Sequence, residues 1–312
     1  MNNTLLFVIS KAKIFATMIL VLIAQIAFTQ FRSDSFLIEG HYRTFHYNKP
    51  VSISPGASLL FLMHGSGGSG TGMAKSTARL EAKAPKEKLL IVYPDGYLNY
   101  WNECRRFSTA LANKEDVNEQ AFFTAMISYF DSLYKIDRAR IFAAGMSGGG
   151  HMAYKLGLTM PGTIHAIAAI IANLPDSASM DCVASGKALP VMIVNGTADE
   201  TNPYNGGEMF VNNSSFGVVQ STEKSFSYWS TLAGYTGKPI KQLIADVNTN
   251  DNQHIESYSY HKKGKPEVTL LKVIGGPHNY PSDIDVFVYI WDFFKRSIEP
   301  GVSKPKKPGT PL

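Results

Sequence analysis

The sequence predicts an α/β fold, with a mostly parallel central sheet, helices on both faces and a single domain. Three observations predict it. Short apolar runs such as Ser58–Met63, Lys88–Tyr93 and Pro190–Val194 have strand length and no alternation, as in strands buried on both faces. Segments with helical spacing lie between these runs, and such alternation is the pattern of a covered parallel sheet. No linker and no internal repeat divides residues 30–296.

Each element has its own signal. Phe36 to Tyr47 alternates around Gly40, as an opening hairpin does. Strand 58–63 ends in a glycine loop, and a helix is expected over Ala74–Ala84. Strand 88–93 is stopped by Pro94-Asp95-Gly96. Glu115–Tyr134 has helical periodicity, with Phe122, Met126, Tyr129 and Leu133 on one side. A strand over Arg140–Ala144 leads into a helix over Gly148–Leu158, and an apolar run follows at Ile164–Ala172. The remaining expected elements are strand 190–194, helix 221–232, strand 267–274 and a closing helix over Asp283–Arg296.

Composition limits the function classes. The chain has 312 residues, 45% of them hydrophobic and 18% charged, enough to bury a full core and unlike a disordered chain. Of the net charge of +5, residues 1–29 carry +2 and residues 297–312 carry +2, so the body between them carries +1. A nearly neutral body lacks the basic stripe of a nucleic-acid partner. Residues 1–29 read as a signal peptide. Lys11 and Lys13 precede the apolar run Ile14–Ala24, and Ala27-Phe28-Thr29 forms a small-residue cleavage site before Gln30. The run is too short for a stable membrane anchor and is interrupted by Gln25. A secreted or periplasmic product is expected, and export permits Cys104 and Cys182 to join. Residues 297–312, with their prolines and lysines, read as a flexible solvated tail.

Three loops at strand ends carry the chemistry. Gly145-Met-Ser147-Gly148-Gly149 follows one strand and opens a helix, the context of a nucleophile elbow. A serine nucleophile needs a base and a group to orient that base. Asp199 lies just past strand 190–194, and His278 lies just past strand 267–274 in Gly275-Gly-Pro-His278. Their order, Ser then Asp then His, is the order of this fold class. Glu200 is the rival acid. The oxyanion needs two N–H donors, and the amides of Gly148 and Ser66 are the candidates, with His64 holding the Ser66 loop in place. His151 reads as a packing residue, and His41, His46, His254 and His261 read as surface residues. Trp101, Asn102 and Tyr280 are candidates for the substrate-binding wall, with core packing as the competing role for Trp101. Gly65-Ser-Gly67-Gly-Ser-Gly70 with Asp95 downstream also matches a dinucleotide fingerprint, which would make the chain an NAD-dependent oxidoreductase.

Taken in order, Gly40-His-Tyr-Arg43, His64-Gly65, Trp101-Asn102, Asp116-Val117, Gly145-Met-Ser-Gly-Gly149, Gly196-Thr-Ala-Asp199 and Gly275-Gly-Pro-His278-Asn-Tyr-Pro281 resemble a family. It is that of the secreted α/β-hydrolase esterases related to polyhydroxybutyrate depolymerases and feruloyl or acetylxylan esterases. The resemblance spans about residues 36–296. It implies an α/β-hydrolase fold and a carboxylesterase with Ser147, Asp199 and His278 as triad, working without metal or cofactor. Its implied substrate is an ester, feruloyl or acetyl, on a plant polysaccharide. Departures fall at Gly148, Tyr280 and Ser66, where the family often has Asn, Trp and Cys, and they bear on substrate identity. A polyester depolymerase acting on hydroxyalkanoate chains is the alternative within the hydrolases. A non-catalytic hydrolase-fold binding protein is the alternative outside them. The sequence defines no oligomeric state.

Overall fold

The computed structural model describes residues 30–50, 53–211 and 214–298. The expected signal peptide lies outside the described residues, as does the expected tail beyond Ile298. Strands β1 (Gln30–Ile38) and β2 (His41–Lys49) form the opening hairpin. Its two turn residues, Glu39 and Gly40, both have positive φ (48° and 88°), the geometry whose twist matches that of paired strands.

The chain then enters the sheet interior at β3 (Ser58–Met63). Two short helices follow, α1 (Gly70–Ser76) and α2 (Ala78–Lys83), where one was expected. Thr77 separates them. Its hydroxyl bonds the Ala74 carbonyl at 3.1 Å and the Tyr93 hydroxyl at 2.7 Å, competing with helix continuation. Next come β4 (Leu89–Pro94), the turn α3 (Leu111–Lys114) and the long helix α4 (Glu119–Tyr134). Asn118 caps α4 by accepting from the Ala121 amide. The buried face of α4 is Phe122, Phe123, Met126, Ile127 and Phe130, and Leu133 is exposed rather than part of it. The chain continues through β5 (Ile141–Met146), α5 (Gly148–Thr159), β6 (Ala166–Ile170) and β7 (Val191–Gly196). After them stand a separate hairpin, β8 (Gly207–Val211) and β9 (Ser214–Val219), and α6 (Thr222–Leu232). The last elements are β10 (Ile240–Leu243), β11 (His254–Tyr260), β12 (Val268–Ile274) and α7 (Val286–Ile298).

The ten-stranded sheet runs β1-β2-β4-β3-β5-β6-β7-β12-β11-β10. Pairings from β4 through β12 are parallel, and the two edges are antiparallel. Every residue of β3, β4, β6 and β7 is buried, which explains their largely apolar composition. One face packs against α4, α5 and α6 through residues such as Phe123, Leu156 and Trp229. The other packs against α1, α2 and α7 through Met73, Leu80, Trp291 and Phe294.

The polar strands β8 to β11 are additions to the sequence expectation. So is the position of His46. It is buried, with its ring between Ser33 Oγ at 2.7 Å and Asp95 Oδ2 at 2.8 Å, and not a surface residue. The cysteines are joined, with Cα atoms 5.0 Å apart across a separation of 78 residues. The bond ties the segment after Trp101 to that before β7, beside the bridge between Arg105 and Met180. Replacing both cysteines by serine is expected to lower unfolding stability by about 2–4 kcal/mol, read from urea denaturation of the two proteins under oxidising conditions.

Candidate active site

The site is assembled at the carboxyl ends of β5, β7 and β12. At the end of β5 the chain turns sharply into α5. A Cβ on Gly145 would fall 2.3 Å from the Gly149 carbonyl oxygen, and one on Gly149 would fall 2.3 Å from that of Met63. Only glycine permits this approach. The turn leaves Ser147 at φ 51°, ψ −118°, a conformation rarely held by a residue with a side chain. Its Oγ stands at the N-terminus of α5, the positive end of the helix dipole.

His278 closes on it from the loop after β12. His278 Nε2 is 3.0 Å from Ser147 Oγ, and His278 Nδ1 is 2.7 Å from Asp199 Oδ2. The other oxygen of Asp199 accepts from the amides of Thr201 (2.9 Å) and Asn202 (2.8 Å). An acceptor so supplied with donors takes the Nδ1–H of His278, which leaves Nε2 to accept from the serine hydroxyl. The Asp199 side chain is 1% exposed and that of His278 is 24% exposed, so the acid is sealed and the base is reachable. Glu200 is exposed and turned out of this arrangement.

The loop after β3 lies directly over the start of α5. A Cβ on Gly148 would sit 3.0 Å from the Ser66 amide nitrogen and 2.6 Å from its Oγ. The Gly148 amide opens the helix and has no intrahelical acceptor. His64 holds the loop. Its Nε2 accepts from the Gly96 amide at 2.9 Å, so its Nδ1 donates to the Gly65 carbonyl at 2.7 Å. Burial lowers its pKa and keeps it neutral for this double role.

Of the three candidate wall residues, Trp101 takes its competing core role and Asn102 is not at a wall. Trp101 is 2% exposed and packs in the core against Phe123, with its ring also beside His64. Its Nε1 donates to the His64 carbonyl at 2.9 Å, so it braces the loop from behind. Asn102 is buried too. Its amide donates to Glu119 Oε1 at 3.0 Å and its side chain to Asp116 Oδ1 at 2.8 Å. Glu119 in turn holds Arg43 at 2.7 Å, a pair with both side chains sealed from water. Tyr280 stays beside the elbow, half-buried, with its hydroxyl on Met146 Sδ and its ring edge-on to Phe287. Asp95, the acid of the dinucleotide pattern, is occupied. It accepts from the Gly70 amide at 2.6 Å and pairs with His46, tying the glycine loop to β2.

Sequence reasoning missed the supports of the acid and the role of Arg105. Asn195, at the end of β7, is buried and donates to the Ala172 carbonyl and to Asn173 Oδ1. Asn202, whose amide holds Asp199, accepts from the Asn173 amide at 3.1 Å. Arg105 is buried under the β8–β9 hairpin, against Glu103 Oε1 at 2.9 Å and over the Phe216 ring at 5.1 Å. His151, one turn beyond Ser147, is fully buried, and neither ring nitrogen has a partner among the described residues. Burial, with the Arg105 and His278 charges, lowers its pKa well below the usual value.

With this geometry in hand, comparison with known proteins places the chain. It belongs to the phospholipase/carboxylesterase family, whose model matches residues 51–227. The fold is that of the α/β-hydrolases. A feruloyl esterase B of Piromyces equi is 30% identical over 168 residues, which are 52% of this chain and 29% of that protein. This chain spans less than half the length of the curated relatives it matches. An acetyl xylan esterase from Aspergillus awamori has the same fold, with a TM-score of 0.59 at 12% identity, covering 85% of this chain and 99% of that one. Among the described residues no helix is long and apolar enough to cross a membrane.

Gly145→Ala is expected to cost about 1–3 kcal/mol or more, since its Cβ meets backbone and not a movable side chain; thermal unfolding beside the parent reads this. His64 and His151 set a second expectation, since burial lowers the pKa of both. Their native pKa values lie below the unfolded value of about 6.5, so the unfolded chain binds more protons than the native one just below that pH. Their share of stability is therefore whole above about pH 6.5 and is lost as pH falls below it. Denaturation midpoints at pH 7.5 and 5.5 are expected to differ less in His151→Asn than in the parent.

Proposed function

We propose that this chain is a secreted serine carboxylesterase in which Ser147, His278 and Asp199 act as nucleophile, base and orienting acid. The observation that carries the reading is the unbroken line of contacts from Ser147 Oγ to His278 Nε2 at 3.0 Å and from His278 Nδ1 to Asp199 Oδ2 at 2.7 Å. Ser147 Oγ attacks the ester carbonyl carbon while its proton passes to His278 Nε2. Asp199 holds the ring in the productive tautomer and stabilises it when charged. The carbonyl oxygen becomes an oxyanion, received by the amides of Gly148 and Ser66. The intermediate collapses by breaking the C–O bond to the alcohol, which leaves with the proton from His278. Water then attacks the acyl-enzyme, giving its proton to His278, and the carboxylic acid departs as Ser147 regains a proton.

The substrate class we propose is a feruloyl or acetyl ester on a plant polysaccharide. The supports are the family, the esterase names of the relatives, and the disulfide of Cys104 and Cys182, which suits an oxidising compartment. In this reading residues 1–29 direct export and are removed, and Tyr280 borders the bound ester.

Hydrolysis of methyl ferulate, acetylated xylan and a hydroxybutyrate oligomer by the purified chain tests the reading, with Ser147→Ala as blank. One polysaccharide-type ester is expected to turn over and to lose all turnover in the blank. A fluorophosphonate is expected to label the parent and not the variant. Wild-type turnover by Ser147→Ala would end the proposal, and preference for the hydroxybutyrate oligomer would replace its substrate class. Gly148→Ala pushes the Ser66 amide out of place, so its kcat is expected to fall by about 10²–10³-fold with the fold retained.

A further inference from the structure

A second candidate site lies along β12, on the sheet face that carries α6. A cavity of about 320 Å³ opens between α6 and strands β11 and β12. Tyr204, Glu223, Phe226, Tyr258, Tyr260 and Lys272 line it. Two of these residues stand on the segments that deliver the acid and the base. Tyr204 is five residues beyond Asp199, and Lys272 is six residues before His278 on β12. The cavity uses no residue of the active site and runs from Lys272 back along β12 to Tyr260, which stands opposite Val268 at the start of that strand.

The lining combines flat apolar rings with paired polar groups. Tyr260 is stacked against both Phe226 (5.6 Å) and Tyr235 (5.1 Å), which fixes it as a rigid wall. Tyr258 has the Lys241 amine 5.4 Å from its ring and is otherwise half-buried at the cavity. Lys272 Nζ lies 4.9 Å above the Tyr204 ring and 3.4 Å from Glu223 Oε1. The Tyr204 hydroxyl is buried beside the Glu223 carboxylate, and burial together with that carboxylate raises its pKa above the usual tyrosine value.

These features restrict the occupant. A pure hydrocarbon would leave the Glu223 and Lys272 head groups without new partners. An anion would meet Glu223, and a cation would meet Lys272. A ring with an apolar face and a rim of hydroxyls satisfies all of them, because each hydroxyl both donates and accepts. That description is a neutral pyranose. We infer that this cavity is a glycan subsite, holding a sugar unit of the same polysaccharide whose ester is cleaved at Ser147. The inference rests on the polymer-borne ester reading above, and it adds where the chain is gripped.

Calorimetric titration of the Ser147→Ala protein with xylohexaose, cellohexaose and mannohexaose tests it. At least one is expected to bind. Adding Tyr258→Ala is expected to weaken that binding at least tenfold, whereas Tyr258→Phe, which keeps the ring, stays within about threefold of the parent. If Tyr258→Ala fails to fold, Glu223→Gln on the exposed start of α6 reads the same site, with a loss of at least fivefold expected. Binding of none of the three, or equal binding with and without the Tyr258 ring, would overturn the subsite. Fluorophosphonate labelling of the unmutated protein separates the two proposals. Labelling without glycan binding overturns the subsite alone, and glycan binding without labelling supports the subsite while overturning the esterase chemistry.

Discussion

The contact between Gly145 and the Gly149 carbonyl, with Gly149 itself against the Met63 carbonyl, is the constraint from which the rest of the site is measured. Three backbone segments meet there with no room for a side chain: the end of β5, the start of α5 and the end of β3. The tightness fixes three things together. It forces Ser147 into a positive φ, it aims a helix N-terminus at the serine, and it lays the Ser66 loop across Gly148. A looser turn would satisfy the chain equally well as a strand-to-helix connection and would separate all three.

Around that fixed point the buried polar groups are arranged to hold loops, not to touch ligand. Asp199 spends one oxygen on two amides and keeps the other for His278. The Ser66 loop is braced by Trp101 through the His64 carbonyl and by His64 through Gly96. Behind Trp101 lies the sealed Arg43–Glu119 pair, which also receives the Asn102 amide. A buried ion pair is costly to desolvate and contributes little net stability over an apolar packing. Its value here is positional, because Glu119 ties α4, β2 and the 101–102 segment to one point.

What was legible in the sequence follows from the same physics. Strands β3, β4, β6 and β7 are buried on both faces, so their composition alone reveals them. Residues just past β5, β7 and β12 stood out because a strand, a glycine and a polar residue make a recognisable punctuation. The hairpin β8–β9 and strands β10 and β11 did not, because half-exposed or fully exposed strands carry polar residues chosen by solvent. Trp101 shows a different limit. Its sequence neighbourhood leaves wall and core both open, because the side of the loop on which its ring falls depends on α4, whose Phe123 lies far along the chain. The burial of His46 is hidden in the sequence for the same reason, since it depends on Ser33, Phe31 and Asp95, all remote along the chain.

The strands that sequence patterning overlooked are also those that create new surface. A purely parallel sheet ending at β12 would leave that strand as an edge, with unpaired backbone groups facing solvent. Adding β11 and β10 antiparallel covers the edge and carries Tyr258 and Tyr260 alongside Lys272. Residues two apart on a strand share one face, so the alternation His-Ile-Glu-Ser-Tyr-Ser-Tyr places both rings together toward α6. The edge protection and the aromatic wall are thus one structural event. A cavity formed this way is rigid before any ligand arrives, because its rings are held by strand pairing and by stacking on Phe226 and Tyr235. Such preorganisation lowers the ordering cost of binding a ligand there.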